Sequence, residues 1–282
     1  MNKIDFSSIA TALREDIGRG DVTTRLVLRP GQKARAEIIA KSTGVACGVD
    51  LVRRVFKTVD QELRFQALVK DAGRIKKNQV LARITGKAES ILKAERVALN
   101  FLARLSGIAT LTAKYVQSVK PYKARIMDTR KTTPGLRILE KYAVRCGGGY
   151  NHRLGLWDQI LIKDNHIALN RSVSLFNLIN QVKRRRPKGM SIEVEVKDLA
   201  EFRQAFNASP DIIMLDNFNL AKIKKALRIR KAKKTAVVLE VSGGVTLKNV
   251  RAIAATGVER ISIGGLTHSA AALDIALDCE QV

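Results

Sequence analysis

The sequence predicts an α/β barrel preceded by a small α/β sandwich domain, and three observations carry that prediction. The chain changes texture near residue 106. From there strand-like runs alternate with amphipathic helical stretches. Each of those runs ends in residues too polar or too small for packing alone.

Before the change lie short strand-like runs at 35–42, 63–70 and 79–86, separated by turn signals. A long helical stretch follows from about Ser90, with Ala98, Phe101, Leu102 and Leu105 on one face. Beyond it, strands are expected at 125–129, 159–163, 191–196, 211–215, 236–241 and 260–264. Helices are expected between most of them, at 171–184, 198–207, 219–231 and 246–256, and a terminal helix over roughly 268–280. Apolar strands alternating with helices imply a parallel sheet buried on both faces. The strand ends read Asp128-Thr129-Arg130-Lys131, Lys163-Asp164-Asn165-His166, Glu195, Asp216-Asn217, Ser242-Gly243-Gly244 and Gly264-Gly265. In α/β barrels catalytic groups sit at the C-terminal ends of several strands, and phosphate is often held after the last two. An open doubly wound sheet concentrates its site at one switch point, so six contributing ends favour a barrel. The expected division is an N-terminal domain over 1–105, with the segment 268–282 packed on it, and a barrel over 106–267.

Composition narrows the class. Hydrophobic residues make up 46% of the 282, ordinary for a globular protein. No apolar run approaches the ~18 residues that cross a bilayer, and MNKIDFSS lacks the apolar core of a signal peptide. Cys47, Cys146 and Cys279 are odd in number, widely spaced and without a CxxC pair. That pattern argues for free thiols in a reducing cytosol rather than a disulfide framework or a zinc site. The net charge of +25 invites a nucleic-acid reading or attraction of an anionic substrate. Its two densest runs, Lys183–Lys188 and Lys222–Lys234, fall on helix surfaces with few aromatic residues between them. No stacking platform for single strands is built that way.

The glycine pairs at 243–244 and 264–265 close the last two β–α turns, where bare backbone N–H groups and a helix N-terminus suit phosphate. Between Asp128 and His166 the chain carries Arg130, Lys131, Arg153 and Lys163 after strands or a glycine loop, together with His152. Guanidinium groups there suit planar carboxylates. Arg137 and Lys141, after Pro134, read as generic helix charge, and Arg145 is left open. Glu195 and Asp216 end adjacent strands; they fit either Mg²⁺ bridging a pyrophosphate or general acid–base work. Glu193 shares the face of Glu195 but lies deeper or is structural.

As a set these residues resemble the quinolinate phosphoribosyltransferase family, also called carboxylating nicotinate-nucleotide pyrophosphorylases. The resemblance runs through EDIGRGDVTT (15–24), ERVALNFLARLSGIAT (95–110), DTRKTTPGLR (128–137), CGGGYNHRLGLWDQILIKDNHI (146–167), EVEV (193–196), LDNF (215–218), SGG (242–244) and ISIGGLTHS (261–269). It implies a type II phosphoribosyltransferase fold, an α/β sandwich joined to an incomplete α/β barrel, assembled at least as a homodimer in the cytoplasm. It implies that quinolinate and phosphoribosyl pyrophosphate give nicotinate mononucleotide, pyrophosphate and CO₂ with Mg²⁺. Arg130, His152, Arg153 and Lys163, with Thr129 beside them, then hold quinolinate, joined by Arg96 of the neighbouring subunit. Lys131 and Lys163 touch phosphoribosyl pyrophosphate, Glu195 and Asp216 engage the ribose and the metal–pyrophosphate, and Ser242, Gly243 and Gly264 bind phosphate. Lys131, Lys163, Glu195 and Asp216 form the catalytic group. Two departures are mild: Gly265 stands where the family often has alanine, and Trp157 replaces a smaller aromatic. The rival readings are a barrel lyase with Lys163 as Schiff-base nucleophile, a basic RNA-binding protein, and a related family found beside molybdate transporters. The full NHR and KDNH motifs speak against the last.

Overall fold

The computed structural model describes residues 7–233 and 235–282. The first six residues, part of the stretch read for a signal peptide, and Lys234, at the end of the basic run, lie outside the described residues. The chain opens with α1 (Ser7–Ile17) and α2 (Val22–Val27), the latter capped by Asp21, which accepts the Thr24 N–H at 2.9 Å. Then β1 (Lys33–Ala40), β2 (Gly44–Val45), α3 (Val49–Val59), β3 (Arg64–Ala67), β4 (Arg74–Ile75) and β5 (Val80–Lys87) lead into α4 (Ala88–Ser118). Alternation follows: β6 (Arg125–Met127), α5 (Arg137–Cys146), β7 (Ile160–Ile162), α6 (Asp164–Ala168), α7 (Leu175–Arg185) and β8 (Ile192–Val196). It continues through α8 (Leu199–Ala208), β9 (Ile212–Asp216), α9 (Leu220–Ala232), β10 (Val238–Ser242), α10 (Val250–Ala254) and β11 (Arg260–Ser262). The short α11 (Gly265–His268) and β12 (Ile275–Gln281) end the chain. Two compact units result. The first holds the chain up to Ala113 with Thr132–Gly148 and Gly265–Val282; the second holds Lys114–Lys131 and Gly149–Gly264.

The first unit is built on an antiparallel sheet of order β12-β1-β5-β3. Ala34, Ala36, Ile38 and Ala40 of β1 are buried at every second position, as the period of a strand requires. On the opposite face Glu37 stands across from Arg83 and accepts its Nε–H at 2.8 Å. α3 buries Val49, Val52, Val55 and Phe56 along one stripe. α4 runs unbroken for 31 residues, so the division expected at 105/106 falls inside a helix. Its Gly107 costs about 1 kcal/mol of helix stability against alanine. It is explained by the Ala271 carbonyl oxygen, which lies where a Cβ would be. The terminal helix expected over 268–280 is corrected: beyond His268 the chain is extended and 275–281 is the edge strand β12. Ile275, Leu277 and Cys279 recur at period two opposite Ala40, Ile38 and Ala36, and that pairing prevails over the helical spacing of the alanines before it.

The second unit is a six-stranded sheet of order β6-β11-β10-β9-β8-β7, parallel at every pairing. All six predicted strands are present, with ends shifted by one or two residues. Placing the first strand beside the last curls the sheet into a barrel that stays open between β6 and β7, where one parallel bridge joins Met127 to Tyr150. Val194, Ile213, Leu239 and Ile261 are fully buried, as strands covered on both faces should be. Ser174, Asp198 and Asn219 cap α7, α8 and α9 with their side chains. The helix expected from Thr246 starts only at Val250, because Asn249 turns back to accept the Thr246 N–H at 2.8 Å.

The basic runs are helix surface. On α9 Lys222, Lys224, Lys225, Arg228 and Lys231 are exposed or half-buried and Ile223 and Ala226 are buried, while Arg230 grips both oxygens of Glu259. Lys183 donates to the carbonyls of Ala208 and Ser209 at the C-terminal end of α8, where a cation is favoured. Phe202, Phe206 and Phe218 are buried and offer no stacking surface. Among the described residues no helix is long and apolar enough to cross a membrane.

Candidate active site

The C-terminal ends of β6 to β10 surround a cavity of about 690 Å³ in the second unit. Its wall carries Thr129, Arg130, Lys131, His152, Arg153, Lys163, Glu195, Asp216, Ser242 and Gly243, together with Asn217 and Gly244. Ten residues expected from the sequence are thus brought together. Gly264 is not part of this wall, and Arg96 stands exposed on α4 of the first unit, 3.6 Å from Glu95.

Four cations converge here against two carboxylates. Lys163, at the end of β7, lies 3.2 Å from Glu195 at the end of β8. Burial holds the Glu195 carboxyl above its usual range, opposed by Lys163 and reinforced by Asp216. Asp216 accepts a bond from Asn217 Nδ2 at 2.8 Å. Arg153 is buried, donating to the Gln159 carbonyl at 3.0 Å, and desolvation together with Arg130 pulls its pKa down. Two like charges held close in a partly dry wall are costly without an anion between them. After β10, Gly243 and Gly244 take φ of +86° and +62°, conformations suited to glycine. A Cβ on Gly243 would collide with the Asn217 side chain, so the backbone there stays bare toward the cavity.

Below the mouth lies a layer that sequence reasoning largely missed. His152 is buried, its Nε2 3.0 Å from Glu193 and 3.4 Å from Glu240, both fully buried. Gln159 donates to Glu193 at 2.8 Å, Ser262 donates to Glu240, and Arg260 approaches Glu240 at 3.9 Å. Burial opposes charge on His152, but the two carboxylates outweigh it and push its pKa up to about 10. Burial and the neighbouring Glu240 likewise push Glu193 up. The Arg153 backbone N–H lies 2.7 Å from His152 Nδ1, so the trio is joined directly to the residue that follows it. Asp128, at the end of β6, completes the support: its carboxylate accepts from Asn151 Nδ2 at 2.5 Å and from the His152 N–H at 2.8 Å. Glu193 is deep, as its position two residues before Glu195 suggested; Glu240 was passed over. The signal for it was an acid inside the apolar run AVVLEV, which a doubly buried strand tolerates only when paired. Lys141, read as generic helix charge, is 2% exposed, because its face of α5 packs inward beside the buried Glu140. Arg104 grips that Glu140 at 2.8 Å.

Fold and site define a phosphate-binding barrel enzyme acting on strongly anionic small molecules. Models of the N-terminal and C-terminal domains of quinolinate phosphoribosyl transferase match residues 21–106 and 108–278. The chain belongs to the quinolinate phosphoribosyltransferase family. A probable carboxylating nicotinate-nucleotide pyrophosphorylase of Bacillus subtilis is 42% identical over 264 residues, 94% of this chain and 89% of that protein. The Mycobacterium leprae nicotinate-nucleotide pyrophosphorylase is 41% identical over 274 residues, 96% of this chain and 95% of that one. The crystal structure of the Ehrlichia chaffeensis nicotinate-nucleotide pyrophosphorylase superposes with a TM-score of 0.92 at 41% identity, covering 99% of this chain and all of that one.

Proposed function

We infer that the protein transfers phosphoribose from phosphoribosyl pyrophosphate to quinolinate, giving nicotinate mononucleotide, pyrophosphate and CO₂ in NAD synthesis. The observation that carries the reading is the convergence of Arg130, Lys131, Arg153 and Lys163 with Glu195 and Asp216 on one cavity. Quinolinate brings two adjacent carboxylates and phosphoribosyl pyrophosphate three phosphoryl groups, so only a wall with this excess of cations neutralises both.

In this reading Arg130 and Arg153 clamp the quinolinate carboxylates with Lys163, beside Thr129. His152 lines the same wall and joins them on quinolinate, and its ring, 2.7 Å from the Arg153 N–H and 3.0 Å from Glu193, also steadies Arg153. Lys131 and Lys163 neutralise the phosphoribosyl pyrophosphate, and Ser242 and Gly243 offer the phosphate a bare backbone turn; Gly264 is the further phosphate contact. As the bond between ribose C1 and pyrophosphate breaks, positive charge grows at C1, and Glu195 and Asp216 are correctly signed to stabilise it. The quinolinate nitrogen takes the C1 position. Its ring then carries positive charge and accepts the electron pair left when the adjacent carboxylate departs as CO₂; water returns a proton to that carbon. The chain need only hold the ring in place for this step.

The donor set also suits Mg²⁺: Glu195 and Asp216 are hard carboxylate oxygens at adjacent strand ends on one wall. Bound there with the pyrophosphate, the ion would neutralise the leaving group. We further propose a cytoplasmic homodimer in which Arg96 serves the neighbouring subunit's cavity, since Arg96 is exposed on α4 and does not line the cavity of the second unit. We also propose a functional division into 1–105 and a barrel over 106–267; family spans that meet between 106 and 108 support its first boundary. The test is incubation with quinolinate, phosphoribosyl pyrophosphate and Mg²⁺, expecting nicotinate mononucleotide, pyrophosphate and CO₂ in equal amounts. A borohydride-trapped adduct on Lys163 with no nucleotide formed would instead establish the lyase.

A further inference from the structure

The fold brings together two of the three cysteines that the sequence scatters. Cys47, just before α3, is fully buried; Cys146 is the last residue of α5 and half-buried; Cys279 is exposed on β12. The sulfurs of Cys47 and Cys146 and a carboxylate oxygen of Asp71 all lie within 4.8 Å of one another. Asp71 is held on both sides. Its Oδ1 accepts the N–H groups of Gly48 and Val49, each at 2.9 Å, and its Oδ2 accepts the Tyr142 hydroxyl at 2.8 Å. The Cys47 N–H is in turn fixed on Ser106 Oγ at 3.0 Å. All these residues belong to the first unit, and none lines the phosphate cavity of the second.

A buried thiol pair by itself is ordinary packing, since cysteine behaves as a small apolar residue. A carboxylate oxygen within 4.8 Å of both sulfurs is different. Two soft sulfurs and one anionic oxygen form a donor set for a thiophilic divalent cation, whereas Mg²⁺ requires oxygen ligands. Around tetrahedral zinc, sulfur at about 2.3 Å and oxygen at about 2.0–2.2 Å place the ligand atoms roughly 3.3–3.8 Å apart. The three ligand atoms, within 4.8 Å of one another, lie within about 1.5 Å of that spacing. The outer shell that orients a metal-binding carboxylate also stands in place, in Tyr142 and the two backbone N–H groups.

We propose that Cys47, Cys146 and Asp71 bind one zinc-class divalent cation at a site separate from the phosphate cavity. Each thiol gives up its proton as its sulfur takes the metal, so binding one cation releases two protons and weakens as the pH falls. Three protein ligands leave the fourth position to water. Occupancy would tie the loop entering α3 to the end of α5, just before the glycine run that leads to Asn151 and His152.

The site is tested on the full chain, stripped with chelator and titrated with Cd²⁺ alone, reading the ultraviolet thiolate-to-metal charge-transfer band, which carboxylate sites do not produce. One equivalent should saturate the band in the wild type and in Cys279→Ser. Cys47→Ser and Cys146→Ser should lose it, and Tyr142→Phe should bind about 10–100-fold more weakly. Circular dichroism establishes that each variant is folded. Should Cys47→Ser not fold, Cys146→Ser and Tyr142→Phe decide. A folded Cys146→Ser chain that keeps the band, a Cys279→Ser chain that loses it, or a wild type without a band at one equivalent overturns the proposal. None of these readings depends on the transferase assignment.

Discussion

Glu240→Gln probes the buried layer beneath the site with almost no change of shape. Glu240 is fully buried and shares His152 with Glu193 at 3.4 Å and 3.0 Å. His152 is raised from 6.5 to about 10, and Glu193 is raised as well. Whichever member holds the extra proton, the folded chain binds protons more tightly than the unfolded one. The stabilisation is therefore complete below about pH 6.5 and is lost as the pH climbs toward about 10. A shift of that size corresponds to at most about 5 kcal/mol, at about 1.4 kcal/mol per pKa unit. The new amide keeps a partner for Ser262 but removes one of the two charges, so roughly half of the pH-dependent part, about 2 kcal/mol, should disappear. The assay is denaturant unfolding of both proteins across this window. Lysines and tyrosines titrating at the alkaline end affect both alike, so the difference between the two profiles is the reading. Parallel profiles would refute the argument, as would a wild type whose stability does not fall with rising pH.

Arg153→Ala should weaken quinolinate binding by about 3–5 kcal/mol, because it empties a buried charged position, and should affect phosphoribosyl pyrophosphate far less; calorimetry with each ligand checks this. Gly243→Ala should raise the KM for phosphoribosyl pyrophosphate about tenfold or more, from roughly 1–2 kcal/mol of left-handed backbone strain plus the clash with Asn217; unchanged steady-state kinetics would refute it. Lys224→Glu with Lys231→Glu should leave turnover intact at moderate salt, since both lysines are exposed on α9. Arg96→Ala and Glu195→Ala should each be nearly inactive, yet refolded together they should recover about one quarter of wild-type activity through mixed twofold dimers. No recovery, with mixed dimers seen by native mass spectrometry, would place Arg96 in its own subunit's site.

Periodicity made the barrel legible: six apolar runs became six parallel strands, and the polar C-terminal residues of most of them became one cavity wall. Period alone misled at the C-terminus. The stretch from Ala270 to Leu277 satisfies helical spacing, while Ile275, Leu277 and Cys279 satisfy strand spacing, and the open edge of β1 decided between them. Lys141 failed for a related reason: a helix pattern shows which residues share a face, not whether that face meets solvent or protein. The cysteines illustrate the limit of spacing rules, since Cys47 and Cys146 meet only because α3 and α5 belong to the same unit.

Glu193 and Glu195 show what kind of information was missing. They lie two residues apart on β8 and share one face, so pattern reading gives them the same direction. What separates them is depth. One step down, Glu193 is sealed against His152, Gln159 and Glu240, where burial raises its pKa and its work is to hold the loop carrying Arg153. At the mouth, Glu195 meets Lys163 and the cavity, where a carboxylate can face a developing positive charge. Depth along a barrel strand depends on how far its neighbours extend and on which side chains arrive from the other strands. Glu240 of β10 and Ser262 of β11 arrive from strands far along the chain, so the division of labour between two identical side chains is a property of the assembled sheet, not of β8.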